Sequence, residues 1–192
     1  MGLEEVSITG GNDVGGLAGM IFGSIIANCY VSGNVKGIDQ VGGLIGNVCF
    51  SKIDNCYTLG TVSGKIYVGG MVGGSTNGQI QNCAALNSNV EAINGLSANR
   101  VVGYYAGSRT ILDNIALEGM SVWAGGSLQI PINDPYILSD GKGYTASEMA
   151  AVRFFENLFV FATPSDDPWT YDAGKLPGFG TAVNMPDYLI QQ

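Results

Sequence analysis

A chain of 192 residues with 46% apolar and 12% charged residues is long enough for one folded domain and too apolar to stay disordered. Sixteen carboxylates against eight Lys and Arg, a formal charge of −8, argue against a nucleic-acid partner; the absence of His removes Ser-His-Asp and Cys-His catalysis and His-containing zinc sites. Thirty glycines beside six prolines imply repeated tight turns, and their lack of a three-residue period excludes collagen.

Met1 to Ile8 lack the basic-then-apolar pattern of a signal peptide, and no apolar run reaches the roughly 18 residues of a membrane-spanning helix. Because the chain enters a repeat almost at once, it is expected to be a segment of a longer protein with its export signal and anchor elsewhere. Glu4-Glu5 reads as solvated charge beside the terminus. Gly10-Gly11-Asn12-Asp13 hints at a calcium-binding repeat but occurs once, without the nine-residue period, and no metal is assigned to it.

From residue 14 the sequence repeats at an offset of 27. Val14-Gly15-Gly16-Leu17-Ala18-Gly19, Val41-Gly42-Gly43-Leu44-Ile45-Gly46 and Val68-Gly69-Gly70-Met71-Val72-Gly73 coincide. Ile26-Ala27-Asn28-Cys29-Tyr30, Ile53-Asp54-Asn55-Cys56-Tyr57 and Ile80-Gln81-Asn82-Cys83-Ala84 keep the same step. Several glycines per unit, with β-branched and aromatic runs of four to six residues, oppose a helical repeat; the leucine-rich pattern is absent. Each unit is therefore predicted to be one coil of about three short strands, stacked on the next by parallel pairing at roughly 4.8 Å.

The recurring residues all have stacking explanations. Gly16, Gly43 and Gly70, with Gly19, Gly46 and Gly73, mark positions of positive φ or of close chain packing. Cys29, Cys56 and Cys83 should form an interior column of free thiols, since side chains at equivalent positions of parallel strands point the same way and suit a disulfide poorly. Asn28, Asn55, Asn82 and Asn114 read as an amide ladder at a corner. Tyr30 and Tyr57 should point outward, as a strip able to stack sugars or simply as strand surface. Leu17, Leu44 and Met71 run beside Ala18, Ile45 and Val72, and two adjacent apolar columns demand a second cover.

A degenerate fourth copy is read in Val102-Gly103-Tyr104-Tyr105-Ala106-Gly107 and Leu112-Asp113-Asn114-Ile115-Ala116, as expected at the end of a stack. Beyond it the pattern is non-repeating. Thr145 and Glu148 form a capping box ahead of Met149, Val152, Phe155 and Leu158, predicting one short helix over residues 146 to 158 that packs on or caps the solenoid. Asp166-Asp167 and Asp172 are the carboxylates a glycosidase would suggest, but Asp166-Asp167 lies in a Pro-flanked loop, and solvated surface charge is the reading taken.

The quoted blocks resemble the GLUG-motif repeats of bacterial surface proteins, including regions of IgA-peptidase-like proteins. Asn82 to Asn87, Arg100 to Gly103, Asn114 to Ala116 and Trp169 to Pro177 are similar to the usual end of such arrays. The departures are Tyr104 and Tyr105 in place of Gly and Leu, and Ile115 in place of Cys. The resemblance implies a right-handed parallel β-helix, extracellular or on the bacterial cell surface, adhesin-like, and without a catalytic motif.

The fold expected is thus all-β: a right-handed parallel β-helix (β-solenoid) of about three to four coils over residues 1–120, then a capping segment over 121–192 holding one short α-helix. The function expected is a non-enzymatic surface module, adhesive or spacer, meeting a host glycan or matrix protein, with no cofactor. A carbohydrate-binding module using Tyr30, Tyr57, Tyr104 and Tyr105 is the alternative. A glycan-degrading β-helix enzyme is the third reading, and it needs two carboxylates in one groove about 5 to 9.5 Å apart.

Overall fold

The computed structural model describes residues 1–95, 97–108, 110–131, 139–151 and 153–190. They form an all-β parallel solenoid of about five turns, more than the three to four expected. Sheet A contains Gly2–Thr9, Tyr30–Lys36, Tyr57–Gly64, Ala84–Ala92, Ile115–Leu117 and Lys142–Tyr144 in that order, with Ser121–Ala124 also pairing on Ala84–Ala92. Sheet B stacks Val14–Gly15, Val41–Gly42, Tyr67–Gly69 and Ser97–Asn99. Sheet C stacks Ala18–Phe22, Ile45–Cys49, Val72–Thr76 and Val102–Ala106, and sheet D stacks Ile25–Ala27, Lys52–Asp54, Gln79–Gln81 and Thr110–Leu112.

The first three coils pair at the sequence period. Val14 lies beside Val41 and Val41 beside Val68; Ile26, Ile53 and Ile80 align, as do Tyr30, Tyr57 and Ala84. The inward columns are closed: Val41, Val68, Ile53 and Ile80 are fully buried, each worth about 1.5–3 kcal/mol relative to exposure.

The Val-Gly-Gly-Leu-x-Gly block is the arch joining sheets B and C. A Cβ on Gly42 would lie 2.2 Å from the Ile45 carbonyl oxygen and 2.6 Å from the Gly73 nitrogen. Gly16, Gly43, Gly70, Gly19, Gly46 and Gly73 all lie outside the positive-φ region, so close packing of backbone on backbone is what requires them. Leu44 sits in the arch and Ile45 opens the next strand, so strand alternation does not run through the pair; both are fully buried, as are Met71 and Val72.

The Asn-Cys pair turns the corner from sheet D to sheet A. Asn28, Asn55 and Asn82 adopt φ of 54°, 50° and 52°, the left-handed bend that Asn tolerates. Each following thiol donates back two residues, Cys29 to the Ala27 carbonyl, Cys56 to Asp54 and Cys83 to Gln81 at 3.0–3.3 Å. All four cysteines are free, and Cys49 alone is not buried. Burial pushes the Cys56 thiol well above its ordinary value. We predict that a maleimide labels Cys49 in the native protein while the other three react only after denaturation; mass spectrometry showing prompt labelling of Cys56 or Cys83 contradicts this.

The asparagines do not form a continuous amide ladder. Asn82 donates to Asp54 Oδ1 in the coil below at 2.9 Å, but Asn55 is bonded to Val160, giving 2.9 Å from its Nδ2 to the carbonyl and 3.0 Å from the Val160 nitrogen to its Oδ1. The partner comes from the C-terminal segment, which competes successfully for that amide.

The fourth coil is placed differently from the sequence alignment. Val68 pairs with Ala98, Gly69 with Asn99 and Val72 with Val102, which puts Arg100 opposite Gly70. Tyr104 then stands beside Gly74 and Tyr105 beside Ser75, past the arch rather than in it. At the next corner Gln81 pairs with Leu112 and Ala84 with Ile115, so Asp113 occupies the Asn position with φ 55° and Asn114 occupies the Cys position. Asn114 turns inward, donating to the Ile80 carbonyl at 2.8 Å and accepting from Cys83 N at 3.1 Å.

The single helix expected over 146–158 is two short ones, α1 (Ala146–Met149) and α2 (Phe154–Leu158). The capping box of Thr145 and Glu148 is formed at α1, but Arg153 adopts φ 67° and breaks the path; Val152 lies outside the described residues. A third short helix, α3, spans Asp187–Ile190. Residues Ser139 to Gly141 close the end of the rod: the Ser139 carbonyl accepts from Val101 and Val102 N, Asp140 accepts from Arg100 N, and the buried Arg100 guanidinium donates to the Gly141 carbonyl. The remaining segment then runs back over the outer face of sheet A. No described helix is long and apolar enough to cross a membrane.

Candidate functional site

The four tyrosines singled out from the sequence do not share a surface. Tyr30 and Tyr57 project from sheet A and stack at 4.8 Å with rings 2° from parallel, but both are buried beneath the C-terminal segment. Trp169 packs on both rings, Phe179 stacks on Tyr30, and the Tyr57 hydroxyl donates to the Pro177 carbonyl at 2.6 Å. The expected exposed strip is therefore covered. Its cover is more than a hundred residues distant in sequence, where no local pattern could announce it.

Burial, reinforced by the hydrogen bond to Glu4, pushes the Tyr30 hydroxyl up to about 12. A folded value above the ordinary ~10 means the stabilisation is complete below pH ~10 and is lost as pH rises toward about 12. Alkaline titration should therefore show a step in tyrosinate absorbance that is missing in Tyr30→Phe and that rises together with loss of the native Trp169 signal. Full ionisation of Tyr30 near pH 10 with the fold intact would contradict this.

Tyr104 remains exposed at 42% and stacks on Tyr67, with centroids 4.5 Å apart. Sequence reasoning missed Tyr67 because it precedes the recurring block. Tyr105 is half-buried and its hydroxyl donates to the Gly78 carbonyl. A second exposed feature belongs to the first coil. Met20, Phe22 and Ile25 project outward where the equivalent positions are Asn47, Cys49 and Lys52, then Gly74, Thr76 and Gln79. Phe50, edge-on to Phe22 at 5.7 Å and itself exposed, adopts φ 47°. Contiguous apolar surface of this kind marks contact sites, and an aromatic residue in a left-handed conformation is an uncommon, strained choice.

The carboxylates are held in local structure. Asp166 accepts from Thr163 N, and Asp167 accepts from Trp169 N and the Tyr171 hydroxyl. Asp172 pairs with Lys175, and Glu4 accepts from Tyr30. No group of three or more Cys, Asp and Glu that could hold a metal occurs among the described residues.

A concave site with mixed chemistry lies at the seam of the fourth coil and the C-terminal segment. It is a cleft of about 560 Å³ lined by Asp113, Asn114, Ile115, Lys142, Tyr144, Phe154, Asn157 and Leu158. Tyr144 and Phe154 meet at 76° with centroids 5.0 Å apart and form a half-buried aromatic floor. Asp113, Lys142 and Asn157 are exposed at the rim, with Lys142 Nζ 4.5 Å above the Tyr144 ring. Asp113 reaches the rim because the corner residue adopts the left-handed turn, and Lys142 because Lys142–Tyr144 adds a strand to sheet A.

Architecture and repeat together define a parallel β-solenoid repeat protein. Residues 10–36, one copy of the repeat, match the family model described as the GLUG motif. A crystal structure of a Bacteroides ovatus protein, provisionally named an immunoglobulin A1 protease, is similar with a TM-score of 0.62 at 23% identity; the match covers 89% of this chain and 54% of that one. The likeness is one of fold, and the chain spans about half the length of that protein. No curated protein matches the chain.

Proposed function

We propose that the chain is a non-enzymatic module of a longer protein on a bacterial cell surface, serving as an adhesive or spacing rod that meets a host glycan or matrix protein. The observation that carries this reading is mechanical. The recurring Gly pack coil on coil, the recurring Asn make the corner bend, the Cys thiols bond back to that corner, and the C-terminal segment is tied across the coils by Asn55 to Val160, Tyr57 to Pro177, and Tyr188 to both Gly60 and Leu86. Such cross-ties suit a rod that holds its shape under load.

The test has two arms. Antibodies to the chain should label intact cells of the source bacterium, and the purified chain should leave the IgA1 heavy chain uncut. Label confined to lysed cells overturns the surface assignment; specific IgA1 cleavage by the purified chain overturns the non-enzymatic one. A carbohydrate-binding module is the second reading, favoured by the exposed Tyr104 stacked on the half-buried Tyr67, since a flat aromatic face accepts the C–H side of a sugar ring.

A further inference from the structure

We infer that the cleft between the fourth coil and the C-terminal segment is a binding site for a neutral saccharide, a site separate from all four tyrosines first considered. Its volume of about 560 Å³ falls within the roughly 300–1,000 Å³ of small-ligand pockets. The floor is aromatic and at hand: Tyr144 and Phe154, half-buried and perpendicular, offer π faces and edges to the apolar side of a pyranose.

The rim supplies the complementary polar set. The Asp113 carboxylate is an acceptor, the Lys142 ammonium is a donor, and the Asn157 amide is both. Sugar hydroxyls donate and accept alike, so all three can engage one ring. Among the described residues no ion pair engages Asp113, which leaves its carboxylate for a ligand, while the Lys142 ammonium rests 4.5 Å over the Tyr144 ring with its N–H groups beside the same floor. One negative and one positive group cancel within the cleft, so a neutral ligand is favoured over a uronic acid or an amino sugar.

The cleft also arises where the repeat departs from its pattern. In the third coil the left-handed corner residue is Asn82, whose side chain donates to Asp54; in the fourth the same position holds Asp113, which is exposed and lines the cleft. Asn114, opposite Cys83, is turned away into the core and fully engaged there. Stacking explains Asn114. It leaves the carboxylate of Asp113 without a structural task.

The experiment is NMR titration of the purified chain with D-galactose and N-acetyl-D-glucosamine, and separately with D-glucuronic acid and D-glucosamine. At least one neutral sugar should shift the resonances of Tyr144 and Phe154. Asp113→Gly, which suits the positive φ, and Asn157→Ala, on an exposed helical position, should each weaken that binding roughly tenfold. Tyr104→Ala should leave it unchanged. The inference is overturned if no neutral sugar shifts the cleft at tens of millimolar, if both cleft variants bind like the parent, or if only the charged sugars bind. Loss on Tyr104→Ala with retention in the cleft variants would move the site to the Tyr67 stack, also overturning it. None of these results bears on surface exposure or IgA1 cleavage, which are read by other assays.

Discussion

Replacing Gly42 by Ala is expected to destabilise the solenoid by about 3 kcal/mol or more, whereas Gly11→Ala should change stability by less than about 0.5 kcal/mol. The two substitutions add the same methyl group. At Gly42 it would sit 2.2 Å from the Ile45 carbonyl oxygen and 2.6 Å from both the Gly73 nitrogen and the Met71 carbonyl oxygen; at Gly11 nothing lies within 4 Å. Every atom met at Gly42 is backbone, so no side chain can rotate away, and relief requires the arch or the neighbouring coil to move. Because neither glycine has a positive φ, conformational strain does not confuse the comparison. A loss of this size is a large share of the roughly 5–15 kcal/mol that holds a domain together. Urea denaturation followed by both circular dichroism and Trp169 fluorescence checks it. Similar midpoints for the two variants would mean that the arch yields easily and that close backbone packing is not what the recurring glycines serve.

That arch explains why so much of the fold was legible. A residue type is repeated at fixed period when every coil imposes the same steric demand, and Gly42, the Asn55 bend and the Cys56 thiol each answer a demand set by the coil itself. Parallel pairing at 27 residues turns sequence offset directly into spatial neighbourhood for the first three coils. The fourth coil breaks this translation. Its strands pair at 30 residues in sheet C, as Val72 with Val102, and at 31 in sheet D, as Ile80 with Ile111. The first two arch glycines are there replaced by Asn99 and Arg100 while Gly103 keeps the third, so matching of Val-Gly letters selected Val102-Gly103, four residues too late. A buried Arg is tolerated because Asp140 and Gly141 close that end and bond to it. The covered tyrosines and the seam cleft were illegible for a different reason. Both are made by contacts between the repeat and a non-repeating segment, and periodicity carries no information about such contacts.

Removing the buried ring in Tyr57→Ala should cost about 3–5 kcal/mol and loosen the C-terminal segment before the coils unfold. Tyr57 is fully buried at the centre of the contact: Tyr30 stacks on one side at 4.8 Å, Trp169 lies 5.7 Å away, and Pro177 accepts the hydroxyl proton. Truncation would empty a space bounded on one side by a rigid sheet and on the other by residues held largely through short elements such as Lys175–Leu176 paired with Val183–Asn184. The sheet has its inward columns and interstrand bonds to hold it; the segment depends on this aromatic contact and a few ties such as Asn55 to Val160 and Tyr188 to Gly60. The expected signature is a split transition. Trp169, now 6% exposed, should report the early step as a red shift in emission, against the smaller background of Trp123 at 37% exposure. Tyr57→Phe keeps the ring and should cost only about 1–2 kcal/mol for the lost bond to Pro177, with Trp169 unshifted. If Tyr57→Ala melts in one step with the parental emission maximum, the stacked tyrosines do not anchor the segment, and the polar ties must hold it instead.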